Sequence, residues 1–264
     1  MSRRPAAGAA DERIQKTLAQ RGIGSRRQIE DWIRAGRIQV NGRPAAVGQR
    51  VRPSDRIAVD GRDITRRLKV ETKVRAIVYH KPGGEMLRAR AGDERANVEA
   101  HLPALHAGRW VAVNPIGYAE DGLLVLTTDG GLASRAGRAG RLLPVEYRVR
   151  ALRPERLTEW PEVPLSVVVE GVEANFTSVE PAAAGGTNQW FKVTASTAVP
   201  RGAVRALFDA AGLKVSRTLL VGWGPFRLPR DLPRGRAREF RGADLEALMQ
   251  LGASRATGHR TAAQ

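Results

Sequence analysis

The side chains best suited to chemistry in this sequence are its arginines and one pair of carboxylates. Arg26, Arg27, Arg34 and Arg37 crowd into a short stretch, with Arg13 just upstream. A guanidinium offers a rigid fork of donors that matches phosphate, so such a cluster reads as a contact surface for a polyanion. Glu120 and Asp121 stand together in a polar loop before the apolar run Gly122–Leu126. Asp129 precedes a glycine and reads as turn chemistry. Other reactive types exclude more than they suggest. Cysteine is absent, which removes disulfides, thiolate zinc sites and cysteine nucleophiles. His80, His101, His106 and His259 show no metal-ligand spacing with one another or with acids, so no metal is expected. There is no Gly-x-Ser-x-Gly elbow and no phosphate-cradling glycine loop. Trp32, Trp110, Trp160, Trp190 and Trp223 have flat faces for stacking bases, but beside apolar neighbours they read as core.

Charge narrows the partner. The 264 residues carry 44 Lys+Arg against 27 Asp+Glu, a net of +17. An excess of that size favours nucleic acid. It is concentrated: residues 1–67 hold 15 Arg and one Lys against seven acids, a net of +9. No apolar run is long enough for a membrane span, and Met1–Ala10 lacks the apolar stretch of a signal peptide, so a cytoplasmic protein is expected.

The elements that must hold these groups are legible in part. Ile14 and Leu18 lie at i, i+4 on a short helix ended by Gly22 and Gly24. Ser25 then stands at an N-cap position, and the helix behind it turns Ile29 and Ile33 inward and Arg26, Arg27 and Arg34 outward. Gly36 closes that helix. Ile38 and Val40 alternate as a strand, Asn41-Gly42 is a hairpin turn, and Ile57-Ala58-Val59 before Asp60-Gly61 reads as another strand. The run "SRRQIEDWIRAGRIQVNG" followed by "VGQRVRPSDRIAVDG" resembles the S4-type RNA-binding domain. In that family two helices present basic side chains to structured RNA, which by position implies contacts at Arg13, Ser25, Arg26, Arg27, Arg34 and Arg37.

Arg62–Arg75 reads as a basic linker, and from Ala76 the chain changes character. "AIVYHKPGG", "GLLVLTTDGG", "VEYRVRAL", "LSVVVEGVEA" and "QWFKVTAS" read as strands. Val204, Leu207, Phe208 and Ala211 form one face of an amphipathic helix closed by Gly212. The order of "YHKPGG", "DGLLVLTTDGGLA", "EYRVR", "VRALFDAAGLKVSR" and "GPFRLP" resembles the RNA pseudouridine synthases that carry an N-terminal S4-type domain and act on single uridines in ribosomal RNA. Breaking a C–N glycosidic bond and rejoining the base through carbon needs the base out of its stack and a carboxylate as nucleophile or base, with no cofactor. The resemblance implies a pocket tyrosine at Tyr147 and, at Arg205, a basic partner for that carboxylate. The family's Gly-Arg-Leu-Asp stretch falls on Asn114-Pro115-Ile116-Gly117, so a glycine stands where the catalytic Asp is expected. The family's Glu-Gly-Arg-Asn stretch is Ala198-Val199-Pro200-Arg201 here. Glu120 or Asp121 could replace the missing acid only if the loop re-registers, since catalytic geometry tolerates about 0.5 Å of misplacement.

The expectation is therefore an α+β chain: an S4-type RNA-binding domain over 11–67, a pseudouridine-synthase-like domain over 75–240, and a partly disordered tail over 241–264. Its partner is ribosomal RNA, it needs no metal or cofactor, and a monomer is expected. By resemblance it is an isomerase impaired at Gly117; the alternative is a non-catalytic rRNA-binding or ribosome-assembly factor.

Overall fold

The computed structural model of the protein describes residues 11–69, 73–87, 95–105, 108–155, 157–183 and 187–253. His106, His259, residues 70–72 of the expected linker and the tail beyond 253 lie outside the described residues. The chain divides into a small unit, made of the first 74 residues with 104–109, and a larger unit made of the rest.

In the small unit, β1 (Glu12–Arg13) leads into helix α1 (Ile14–Gln20), and α2 (Arg26–Arg34) follows. Ser25 starts α2 as expected: its hydroxyl oxygen accepts from the Gln28 N–H at 3.2 Å, and the Gln28 side chain accepts from the Ser25 N–H at 3.4 Å. This reciprocal cap satisfies donors the helix cannot, and is worth about 1 kcal/mol. Short strands β2 (Ile38–Val40), β3 (Arg43–Pro44), β4 (Arg50–Val51), β5 (Ile57–Val59) and β6 (Arg62–Asp63) come next, ordered β3-β2-β5-β6 with β4 paired to β1. Asn41-Gly42 takes positive φ at both positions (52° and 78°), the requirement of a tight hairpin turn. Ile14, Leu18, Ile29, Ile33, Ile38 and Ile57 form the core. The expected linker is shorter than read. Arg62–Asp63 pairs with β5, and helix α3 (Thr65–Lys69) follows, because Ile64 and Leu68 at i, i+4 pack on that core.

The larger unit runs β7 (Ala76–Lys81), a 3₁₀ turn (Val98–His101), β8 (Val111–Ala112), β9 (Asp121–Thr127), helix α4 (Gly130–Ala139) and β10 (Val145–Leu152). Then come β11 (Ser166–Val169), β12 (Val172–Asn175), β13 (Ser178–Ala183), β14 (Asn188–Ala195), helix α5 (Ala203–Ala210), β15 (Lys214–Trp223), β16 (Phe226–Arg227), β17 (Ala237–Glu239) and helix α6 (Ala243–Ala253). One sheet in the order β13-β14-β10-β15-β9-β7-β17 organises it, antiparallel throughout except where β9 lies parallel to β15. β9 is buried along its whole length, which explains its unbroken apolar run; β14 alternates because one face is more open.

Three expectations are corrected here. "LSVVVEGVEA" is a hairpin, not one strand, because Glu170 and Gly171 both take positive φ (51° and 78°) between β11 and β12. Asp129 caps α4 instead of closing a simple turn, accepting from the N–H groups of Gly131 at 2.7 Å and Leu132 at 3.1 Å. Ala243–Ala253 is helix α6, not tail: Leu248 is buried, and Arg135 Nε of α4 donates to the Gly252 carbonyl at 2.9 Å. No helix among the described residues is long and apolar enough to cross a membrane.

Candidate active site

A cleft of about 830 Å³ opens in the larger unit. Ala112 lines it from the end of β8, Val113–Ile116 and Glu120 from the loop that joins β8 to β9, and Ala133, Ser134 and Gly137 from α4. Tyr147 lines it from β10, at a point where pairing with β15 slips between Glu146 and Tyr147. A bulge of this kind re-aims a side chain next to a functional site. Ala198–Arg201 and, from β12, Val172 and the exposed Glu173 also line it, and Arg138, Arg141 and Arg201 are exposed along it. Asn114–Ile116 and Ala198–Arg201, from the two stretches where the resemblance implies a departure, both line this cleft. The Tyr147 hydroxyl is held well above its ordinary pKa, first by burial and then by the negative charge of Glu120. It therefore stays a protonated donor at neutral pH.

The loop carrying Glu120 is braced from below. A turn closes from the Glu120 N–H to the Gly117 carbonyl at 3.3 Å, and the Gly117 N–H donates back to Glu120 Oε2. Asn114 ties the start of the loop to β9, donating to the Leu123 carbonyl at 3.1 Å and accepting from the Val125 N–H at 2.7 Å. Lys81, fully buried at the end of β7, donates to the carbonyls of Pro82, Tyr118 and Glu120 at 3.0, 3.2 and 2.9 Å. Burial pulls the ammonium pKa down, against the pull of Glu85, Asp121 and Glu120 in the other direction. A buried charge is tolerated only with such a complete set of acceptors. The Gly84 N–H also bonds the Tyr118 carbonyl at 2.8 Å, so the Pro-Gly-Gly turn is a support for the loop. Sequence reasoning missed Lys81; a lysine inside an apolar strand was the available signal.

Asp121, the neighbour of Glu120, has a different fate. As the first residue of β9 it is 3% exposed and accepts from Arg217 Nε at 2.9 Å and Arg234 Nη2 at 2.8 Å, with His80 Nε2 3.6 Å away. Burial raises its pKa, but His80, Arg217 and Arg234 together outweigh that and hold it below the ordinary carboxylate value. A carboxyl whose pKa is depressed by folding stabilises the fold above its unfolded pKa and loses that contribution as pH falls through the folded value. Asp121→Asn should therefore cost about 1–3 kcal/mol at pH 7, less than a fully buried pair because both arginines are partly exposed. In urea titrations from pH 7 down to 3, the gap between variant and parent should close. A gap independent of pH would contradict the ion-pair account.

Arg205 is not where the resemblance puts it. On α5 the buried face is Ala203, Val204, Leu207 and Phe208, which turns Arg205 outward; its Nη1 donates to the Val215 carbonyl at 2.8 Å, and it does not line the cleft. Tyr147 lines the cleft, and Gly117 is joined to it through Glu120, whose Oε2 accepts from the Gly117 N–H. Among the described residues no three His, Cys, Asp or Glu side chains converge as a metal site.

In the small unit, Arg13, Arg26, Arg27, Arg34 and Arg37 are all exposed. Arg34 pairs with Asp31 at 2.7 Å. Arg37 grips Asp60 through bonds of 2.7 and 2.6 Å and lies 5.0 Å over the Trp32 ring. Exposed pairs of this type contribute little to stability, so phosphate can compete for these guanidiniums. Ser25 acts as the helix cap described above.

The comparisons with known proteins agree with this architecture. The S4 domain model matches residues 12–57. The ribosomal large subunit pseudouridine synthase B of Shigella flexneri is 37% identical over 242 residues, covering 91% of this chain and 83% of the relative. That of Pseudomonas aeruginosa is 38% identical over 241 residues, 90% of this chain but only 62% of the longer relative. A solved structure described as "Crystal structure of pseudouridylate synthase" superposes with a TM-score of 0.51 at 18% identity, covering 90% of this chain and 99% of that one, a likeness of fold. With an S4 domain at its N-terminus, a mixed α+β sheet domain behind it and this identity along nine-tenths of its length, the chain belongs to the ribosomal large subunit pseudouridine synthase B family.

Proposed function

We propose that this protein binds ribosomal RNA through the arginine face of its small unit and converts a uridine to pseudouridine in the Tyr147 cleft, more slowly than relatives with an aspartate at position 117. Tyr147 and a carboxylate, Glu120, line one cleft edged by Arg138, Arg141 and Arg201. That combination is the observation that carries the reading: arginines for the backbone phosphates, a polar pair within the cleft for an extruded base. Gly117 supports the slow rate, because a displaced acid or base forfeits a share of the 10²–10⁴-fold such groups contribute.

A second reading keeps the binding and drops the chemistry, leaving an rRNA-binding or ribosome-assembly factor. Its support is the joint departure that the resemblance implies at 114–117 and 198–201, two stretches that both contribute residues to the cleft. Mass-spectrometric mapping of pseudouridine in rRNA from cells with and without the gene separates the two. Under the first reading one modified site disappears on deletion and returns with the wild-type chain. An unchanged map, with rRNA still bound by the purified protein, selects the second.

A further inference from the structure

We propose that Glu120 supplies the carboxylate that Gly117 lacks, reaching the reacting sugar from the far end of the turn; this rests on the pseudouridine synthase reading above. A Cβ built on Gly117 would lie 3.1 Å from Glu120 Oε2 and 3.3 Å from its Cδ. The Glu120 carboxyl group therefore folds back over the spot from which an aspartate at 117 would project. It is not placed identically: an aspartate carboxyl carbon would stand one bond, about 1.5 Å, from that Cβ. That offset accounts for reduced rather than absent turnover, since reacting groups must be held within about 0.5 Å.

Three further features fit the role. The Gly117 N–H holds one carboxylate oxygen, and among the described residues the other is not engaged. The backbone carrying the group is fastened by Lys81 through the carbonyls of Tyr118 and Glu120, so the side chain starts from a fixed point. Asp121 is not a competitor, because Arg217 and Arg234 hold it away from the cleft as part of the sheet.

The step balances without a co-reactant. A Glu120 oxygen attacks C1′ of the extruded uridine, the C1′–N1 bond breaks, and its electron pair stays on N1 of the released uracil. After the base turns, C5 attacks C1′ and the C1′–O bond to Glu120 breaks, freeing the carboxylate. C5 then loses its proton and N1 takes one up, so the product is an isomer of the substrate.

The test uses the full-length chain, Glu120→Gln, and Glu120→Gln combined with Gly117→Asp, each with an unmodified ribosomal RNA transcript. Glutamine keeps an oxygen to accept from the Gly117 N–H but cannot be a nucleophile. Pseudouridine formation in Glu120→Gln should fall at least about 100-fold, while rRNA binding and melting temperature hold. Adding Gly117→Asp should return at least about tenfold of that loss, by putting a carboxylate back into the same cleft; a merely structural Glu120 would instead show itself in Glu120→Gln as a lowered melting temperature or weakened rRNA binding. If the wild-type chain forms pseudouridine and Glu120→Gln forms it equally fast, this inference is overturned and the proposed function stands. If the wild-type chain binds the transcript but forms none, the proposed function falls and the inference with it.

Discussion

Replacing Gly122 with alanine should lower the melting temperature of the larger unit by about 10 °C, from roughly 3–4 kcal/mol at 2–4 °C each. Gly122 sits at φ +117°, a backbone conformation that side chains avoid, and an added Cβ would run into the Leu220 carbonyl oxygen and lie 2.7 Å from the Leu220 nitrogen. The reason is topological. β9 and β15 pair in parallel through Leu219↔Asp121 and Leu220↔Gly122, and this short contact joins the central strand β15 to the β9-β7-β17 side of the sheet. Neither side can yield, because both colliding atoms are backbone. Gly171→Ala is the control: it has φ +78° with nothing within 4 Å, so only conformational strain is added. Calorimetry on both variants checks the claim. Equal melting temperatures would mean that the close approach at Gly122 relaxes at no cost.

Arg26→Ala with Arg27→Ala should weaken binding to an rRNA fragment at least about tenfold, or about 1.4 kcal/mol, at fixed salt. Both residues open α2 on its exposed face, and neither contributes to the isoleucine core behind it. Each lost phosphate contact should also reduce the slope of log affinity against log salt by roughly 0.7–0.9. The melting temperature should hold, since exposed side chains of this kind contribute within about 0.5 kcal/mol. Filter binding across a salt series, paired with thermal melts, reads both quantities. A variant that melts earlier would make these arginines structural. One that binds as tightly as its parent would leave the α2 face without a role in RNA recognition.

Much of the small unit could be read directly because its determinants are local. Ile14/Leu18 and Ile29/Ile33 repeat at helical spacing, Ser25 and Gln28 form a cap within one turn, and Asn41-Gly42 sets its own hairpin. The failures were at places where distant chain decides. Ile64 and Leu68 read as linker in the sequence because nothing local reveals the core they meet. Helix α4 opens on two glycines, poor helix formers, and exists because Asp129 caps it and its apolar face packs. Arg205 matched the family by position, yet the buried phase of α5 turns it outward.

What the sequence determined alone is the absence at position 117. A glycine has no side chain in any fold, so no coordinates were needed to see that the position where the resemblance implies an acid carries none. The same holds for the excess of arginine over acid in the first 67 residues, a matter of counting. Which of two adjacent carboxylates could answer that loss was decided only by tertiary structure. Glu120 and Asp121 are chemically alike and share one loop, but Asp121 enters β9 opposite β15, where Arg217, 96 residues away, and Arg234, 113 residues away, neutralise it. Glu120 ends a turn that points it back over Gly117 and into the cleft of Tyr147. Electrostatic partners brought from that far along the chain leave no local trace, and the difference between a structural ion pair and a group facing substrate is made by them.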